Sequence, residues 1–176
     1  LSVGALALKT VTFLFVTGSS WLDYLVTTVT QSRWSHVALR FEPDELLVEA
    51  LVGQGLILQP GSKYDEWTTR QAISRDVPER VYYGMLEQSR RWARQNIPYG
   101  YRTCLAIGLK ELLGEPAGKW VLQQLSGGSG SNMVCSELIV ELWRMAEPDF
   151  LHAQEARLVS PDDLYRLLTV TVAMCR

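Results

Sequence analysis

Read from its N-terminus, the chain first alternates short apolar runs with turn residues, then changes to helical spacing. Thr10-Val11-Thr12-Phe13-Leu14-Phe15-Val16 is β-branched and aromatic and stops at Thr17-Gly18, which predicts a buried strand. Ser19 or Ser20 can cap a short helix carrying Trp21, Leu22, Tyr24, Leu25 and Val29. Ser35 to Phe41 predicts the next strand, and a polar turn, Glu42-Pro43-Asp44-Glu45, leads into Leu46 to Val52. Gly53 and Gly55 break the chain before Leu56-Ile57-Leu58-Gln59, and Pro60-Gly61 ends that strand. Thr69 to Val77 is a further strand, less marked in pattern.

From Pro78 the period changes. Proline suits the first position of a helix, here Pro78 to Asn96, rich in Arg, Glu and Gln. After the turn Pro98-Tyr99-Gly100-Tyr101, apolar residues recur helically from Cys104 to Leu113. A helix restarts at Gly114-Glu115-Pro116 and runs to Leu125. Ser126 to Ser131 is a Gly/Ser loop, and the next helix covers Met133 to Glu147, stopped by Pro148. Ser160 to Leu164 predicts an N-capped short helix, and Leu167 to Met174 a closing strand. Early strands, central helices and a late strand indicate an α+β fold.

Composition narrows the classes. The 176 residues suit one domain, 1–176, with a real core, and 47% hydrophobic with 20% charged residues is ordinary globular usage. A net charge of −2 argues against broad electrostatic binding of nucleic acid. Arg90, Arg91 and Arg94 lie among glutamates at helical spacing and read as a solvated face. Three cysteines without CxxC spacing suggest neither a disulfide framework nor a structural zinc, so a reduced, cytoplasmic setting is expected. The apolar run Val3 to Val16 is too short to span a membrane and has no charged segment before it. A first residue other than methionine is also what trimming, or removal of a signal peptide, would leave.

Candidate chemistry centres on Val134-Cys135-Ser136-Glu137-Leu138-Ile139, which puts a thiol in the first turn of a helix. Free N–H groups and the positive end of the helix dipole favour a thiolate there. On this helix Glu137, Glu141 and Arg144 fall on a face expected to meet water, while Cys135, Ile139, Leu142 and Ala146 point inward. That geometry suits a core thiol and a nucleophile equally. His36 shares a strand face with Ala38 and Arg40. If the Glu42–Glu45 turn pairs Phe41 with Leu46, Glu49 becomes a same-face diagonal neighbour of His36, about 7–8 Å away at the backbone. Glu49 is the lone charge in Leu-Leu-Val-Glu-Ala-Leu-Val, and a bond to imidazole would explain it. An odd loop would instead send Glu49 to the other face, where a solvent-exposed carboxylate needs no partner. Joined, the three supply nucleophile, base and orienter, with helix-start N–H groups as part of an oxyanion hole.

The succession Trp34-Ser35-His36-Val37-Ala38-Leu39, Val48-Glu49-Ala50, Pro98-Tyr99-Gly100-Tyr101, Val134 to Ile139 and Ser160 to Leu164 resembles the circularly permuted papain-like hydrolases. These are related to NlpC-type peptidases, and the likeness is to the YiiX/YaeF-like amidase group. It covers about Thr10 to Leu168, with the histidine strand before the cysteine helix. The resemblance implies Cys135 as nucleophile, His36 as base and Glu49 as third polar residue. It also implies a barrel-like antiparallel sheet of six or so strands with helices packed on one side. The family commonly has Tyr-Asp where this chain has Tyr99-Gly100, which puts substrate positioning by that loop in doubt.

The expected activity is a cysteine hydrolase cleaving an amide through a Cys135 acyl-enzyme, without metal or cofactor. By resemblance the substrate is a cell-wall peptide, lipopeptide or acyl conjugate. A lipid-directed thiol acyltransferase or esterase, and a catalytically silent binding module, are the rival readings. Tyr99, Trp34 and Tyr64 are candidate substrate contacts, the last in the Gly53–Tyr64 loop that shapes any groove. The remaining signals are weak. Gly127 to Ser131 lacks the last glycine and preceding strand of a GxSxG elbow, and Gly53-Gln54-Gly55 lacks the rest of a dinucleotide loop. His152 reads as a surface residue, and Cys104 and Cys175 as core.

Overall fold

A computed structural model describes residues 7–19, 21–67, 70–125, 132–151 and 156–174. The Gly/Ser loop from Ser126, His152 and Cys175 lie outside the described residues. Five strands are present, β1 (Leu8–Val16), β2 (His36–Phe41), β3 (Leu46–Leu51), β4 (Gly55–Pro60) and β5 (Arg70–Pro78). Around them lie α1 (Trp21–Thr30), α2 (Glu79–Arg94), α3 (Tyr101–Leu113), α4 (Glu115–Leu125), α5 (Cys135–Trp143) and α6 (Pro161–Met174). The molecule is α+β, and its strands form one antiparallel sheet in the order β4-β3-β2-β1-β5.

Five strands rather than six or so are found among the described residues, with β4 and β5 as the two edges. The expected closing strand is the larger correction, because Leu167 to Met174 belongs to α6. Its Thr and Val residues favour strand, but the helix is fixed from its start. Asp163 N–H donates to Ser160 Oγ at 3.1 Å and Ser160 N–H to Asp163 Oδ2 at 3.1 Å, a reciprocal cap. Leu164 and Leu168 then bury at helical spacing, and Thr169 turns its hydroxyl back to the Tyr165 carbonyl at 2.9 Å. Tertiary packing overrides propensity here.

Alternation along β2 divides the core. Val37, Leu39 and Phe41 join the large cluster with Phe13, Phe15, Val48 and the apolar face of α5. Ala38 belongs to a smaller cluster with Leu14, Val16, Leu47 and Tyr64. The register matches the even-loop expectation: Phe41 pairs with Leu46, Arg40 with Leu47 and Leu39 with Val48. Continuing that ladder brings Glu49 beside Ala38, on the face of His36. At the far end of β3, Gly55 takes φ +75° and leads the chain into β4, where Leu56 N–H bonds the Ile97 carbonyl at 2.9 Å. A Cβ on Gly55 would collide with that carbonyl, so the turn ties β4 to the segment carrying Tyr99.

Helix α5 begins at Cys135 and ends at Trp143, shorter than Met133 to Glu147. Val134 precedes it in extended backbone, and Met133 forms a parallel bridge with Tyr99. Glu137 does not face water as its spacing suggested. It is buried because the turn Ala156–Leu158 covers the start of α5, where Glu137 accepts from Arg157 Nε at 3.1 Å and from Val134 N–H at 3.4 Å.

Candidate active site

Cys135, His36 and Glu49 meet at one end of the sheet. Cys135 is the first residue of α5 and only 4% exposed; His36 is the first residue of β2. The Cys135 thiol and the His36 imidazole are close enough to interact strongly, and the backbone N–H groups of Val37 and Ser136 also favour the thiolate. His36 Nε2 lies 3.0 Å from Glu49 Oε2. A carboxylate only accepts, so Nε2 carries the hydrogen and Nδ1 is left for the thiol. That is the tautomer a general base needs when a carboxylate orients it.

Burial and charge oppose each other throughout the site. Burial pushes the His36 imidazolium towards losing its proton, but contact with Cys135 and Glu49 overrides this and carries its pKa up to about 9. Burial likewise pushes the Cys135 thiol up, and the hydrogen bond and charge of His36, with the two backbone N–H groups, bring it below its ordinary value. The two shifts describe one thiolate–imidazolium pair. Glu49 is wholly buried, which disfavours its charge, yet His36, Lys63 and Tyr64 together hold it below the usual carboxylate range.

Nothing in the sequence pattern gave Lys63 or Tyr64 a role at Glu49. Tyr64 donates its hydroxyl to Glu49 Oε2 at 2.6 Å, and Lys63 Nζ holds Oε1. Both side chains come from one 3-10 turn, Gly61–Tyr64, too short and polar to show any periodicity. Tyr64 therefore has a structural partner as well as a place on the cleft wall.

The cleft beside His36 encloses about 260 Å3. Its walls are mostly apolar, with Val16, Val26, Leu51, Val52, Trp67 and Tyr99 among them, and with Asp23, Gln54 and Lys63 as polar points. Asp23 accepts from Ser35 Oγ at 2.6 Å, which ties α1 to the residue before His36. Tyr99 reaches the cleft while its hydroxyl is 3.1 Å from Cys104 Sγ. Trp34 is placed differently from the other candidate contacts. It is 1% exposed, packed at a tilt against Phe15 and Tyr165 with the Arg33 guanidinium over its ring, and reads as core. Among the described residues no group of three or more His, Cys, Asp or Glu is arranged to hold a metal, and no helix is long and apolar enough to cross a membrane.

Compared with known proteins, the chain matches no family model, no curated protein and no solved structure. The site's own chemistry is therefore the ground for a functional reading.

Proposed function

We propose that this protein is a cysteine hydrolase of the permuted papain-like kind, cleaving an amide in a peptide, lipopeptide or acyl conjugate. The observation that carries the reading is the bond from His36 Nε2 to buried Glu49, which turns the other ring nitrogen to Cys135. Cys135 Sγ attacks the carbonyl carbon, and helix-start N–H groups receive the developing oxyanion. His36, as imidazolium, gives its Nδ1 proton to the leaving nitrogen, and a thioester remains on Cys135. Water then attacks the thioester as His36 takes its proton, releasing the acid and restoring the pair.

The apolar walls of the cleft favour a second reading, transfer of an acyl group from an ester or amide to an amine or alcohol. Both readings share the acyl-enzyme, so one experiment addresses them. Intact-mass measurement on the protein mixed with aryl esters of increasing acyl length should show one acyl group on Cys135, absent in Cys135→Ala. With a simple primary amine or alcohol added, decay to water alone supports the hydrolase, whereas passage to that acceptor in preference to water supports the transferase. A protein that takes up no acyl group, or takes it up equally in Cys135→Ala, is the silent binding module.

A further inference from the structure

The buried carboxylate of Glu49 serves two cations through different oxygens. Oε2 faces His36 and the Tyr64 hydroxyl, and Oε1 faces Lys63. Lys63 is partly buried, lines the cleft, and has its ammonium 5.0 Å from the centre of the Tyr64 ring. The turn that presents it is pinned on both sides. Gly61 N–H bonds the Glu45 carbonyl at 2.7 Å. Asp65 accepts from Arg40 at 3.0 Å and Arg70 at 2.8 Å, and Arg70 also bonds the Tyr64 carbonyl at 3.0 Å. Ammonium and carboxylate are thus held together by the fold rather than meeting by chance rotation.

We propose that Lys63 is a positioning residue whose charge, shared with Glu49, sets the pH range over which the Cys135–His36 pair works. This rests on the thiol hydrolase reading of the same site and extends it. A carboxylate facing imidazolium alone would hold the proton on His36 too firmly for its delivery to a leaving group. With Lys63 on the second oxygen, Glu49 orients the ring while much of its charge is already balanced. Among the described residues the titratable groups facing the pair are few. Glu49 comes from β3, Lys63 and Tyr64 from the 3-10 turn, and Asp23 from α1; Tyr99 lies just before α3, with Cys104 of that helix's first turn behind it. Asp65 is occupied by Arg40 and Arg70 on the outer side of the turn.

Removing the Lys63 charge makes the surroundings more negative, so both proton losses of the pair move to higher pH. Lys63→Met and Lys63→Gln remove the charge, Gln keeping a donor for Glu49, and Lys63→Arg restores it. The alkylation rate of Cys135 against pH reads the thiolate without requiring any substrate, and the hydrolysis profile reads both limbs. In the neutral variants the acid limb of alkylation should rise by about half a pH unit or more, and Lys63→Arg should return it towards the parent. An unmoved limb in a neutral variant that melts cooperatively overturns the proposal, as does an equal displacement in Lys63→Arg. Should Lys63→Met fail to fold, Lys63→Gln gives the same reading. A shifted alkylation limb in a protein that hydrolyses nothing would contradict the hydrolase reading and leave the assignment of Lys63 standing.

Discussion

The starts of α3 and α5 lie side by side, and each carries a cysteine in or near its first turn. Gly100 N–H donates to the Met133 carbonyl at 3.0 Å and Met133 N–H to the Pro98 carbonyl at 3.1 Å, so the segments leading into the two helices run as a short parallel pair. Their thiols nevertheless differ in kind. Cys104 is the more exposed, but burial still raises its pKa to about 11 despite the Tyr99 hydroxyl. Cys135 is the more buried and is lowered by His36. Accessibility and helix position alone would rank them the other way or leave them equal. The neighbour decides: Cys104 faces a neutral phenol, and Cys135 faces an imidazole whose far side is held by a buried carboxylate.

The sharpest way to break this contrast is competitive alkylation with iodoacetamide at neutral pH. With a pKa of about 11, only about one Cys104 in 10,000 is ionised at pH 7. Cys135 should therefore label about a thousandfold faster, and peptide mapping gives the ratio. Equal rates would erase the difference between the two helix starts. His36→Ala should bring Cys135 most of the way down to Cys104.

Glu49→Gln tests how much of the contrast belongs to the carboxylate. The amide retains an acceptor for Nε2 but loses the charge, and kcat should fall about a hundredfold with KM little changed. Loss confined to KM would mean that Glu49 shapes the cleft rather than the base.

Trp34→Phe separates scaffold from site, since Trp34 is packed behind the histidine strand rather than along the cleft. The urea midpoint should report a loss of about 2 kcal/mol, with KM for the acyl donor unchanged. A raised KM at unchanged stability would restore Trp34 as a substrate contact. The smallest effect is expected at Glu137→Ala, which removes the acceptor for Val134 N–H and the partner of Arg157 at the start of α5. It should cost about 1 kcal/mol in denaturant titration and leave the alkylation ratio standing.

Much of this was legible in the chain because it depends on period and register. The alternation His36-Val37-Ala38 and the turn Glu42–Glu45 left two faces open to Glu49, according to the parity of the loop, and the observed pairing of Phe41 with Leu46 selects the even one. Placement of Cys135 at the head of α5 was likewise local. What escaped the sequence depends on packing between distant elements. The Gly61–Tyr64 turn has no period to show that Lys63 and Tyr64 converge on Glu49. The burial of Glu137 depends on a turn about twenty residues later folding over it. In α6, β-branched Thr and Val residues signalled a strand, while the cap at Ser160 and the burial of Leu164 and Leu168 enforce a helix.

The most direct test of the central claim is the ultraviolet absorbance of the thiolate, taken as the difference between the parent and Cys135→Ser across a pH titration. The sign follows from the pair. Cys135 below its ordinary value and His36 at about 9 together favour a thiolate beside an imidazolium, and the pair is lost as the pH rises past about 9 and the imidazolium gives up its proton. The expected difference spectrum shows a thiolate already present at pH 7, and His36→Ala moves its appearance to higher pH. A difference that emerges only above about pH 8.5, where an ordinary thiol ionises, and that His36→Ala does not move, would contradict the pair and the activity built on it.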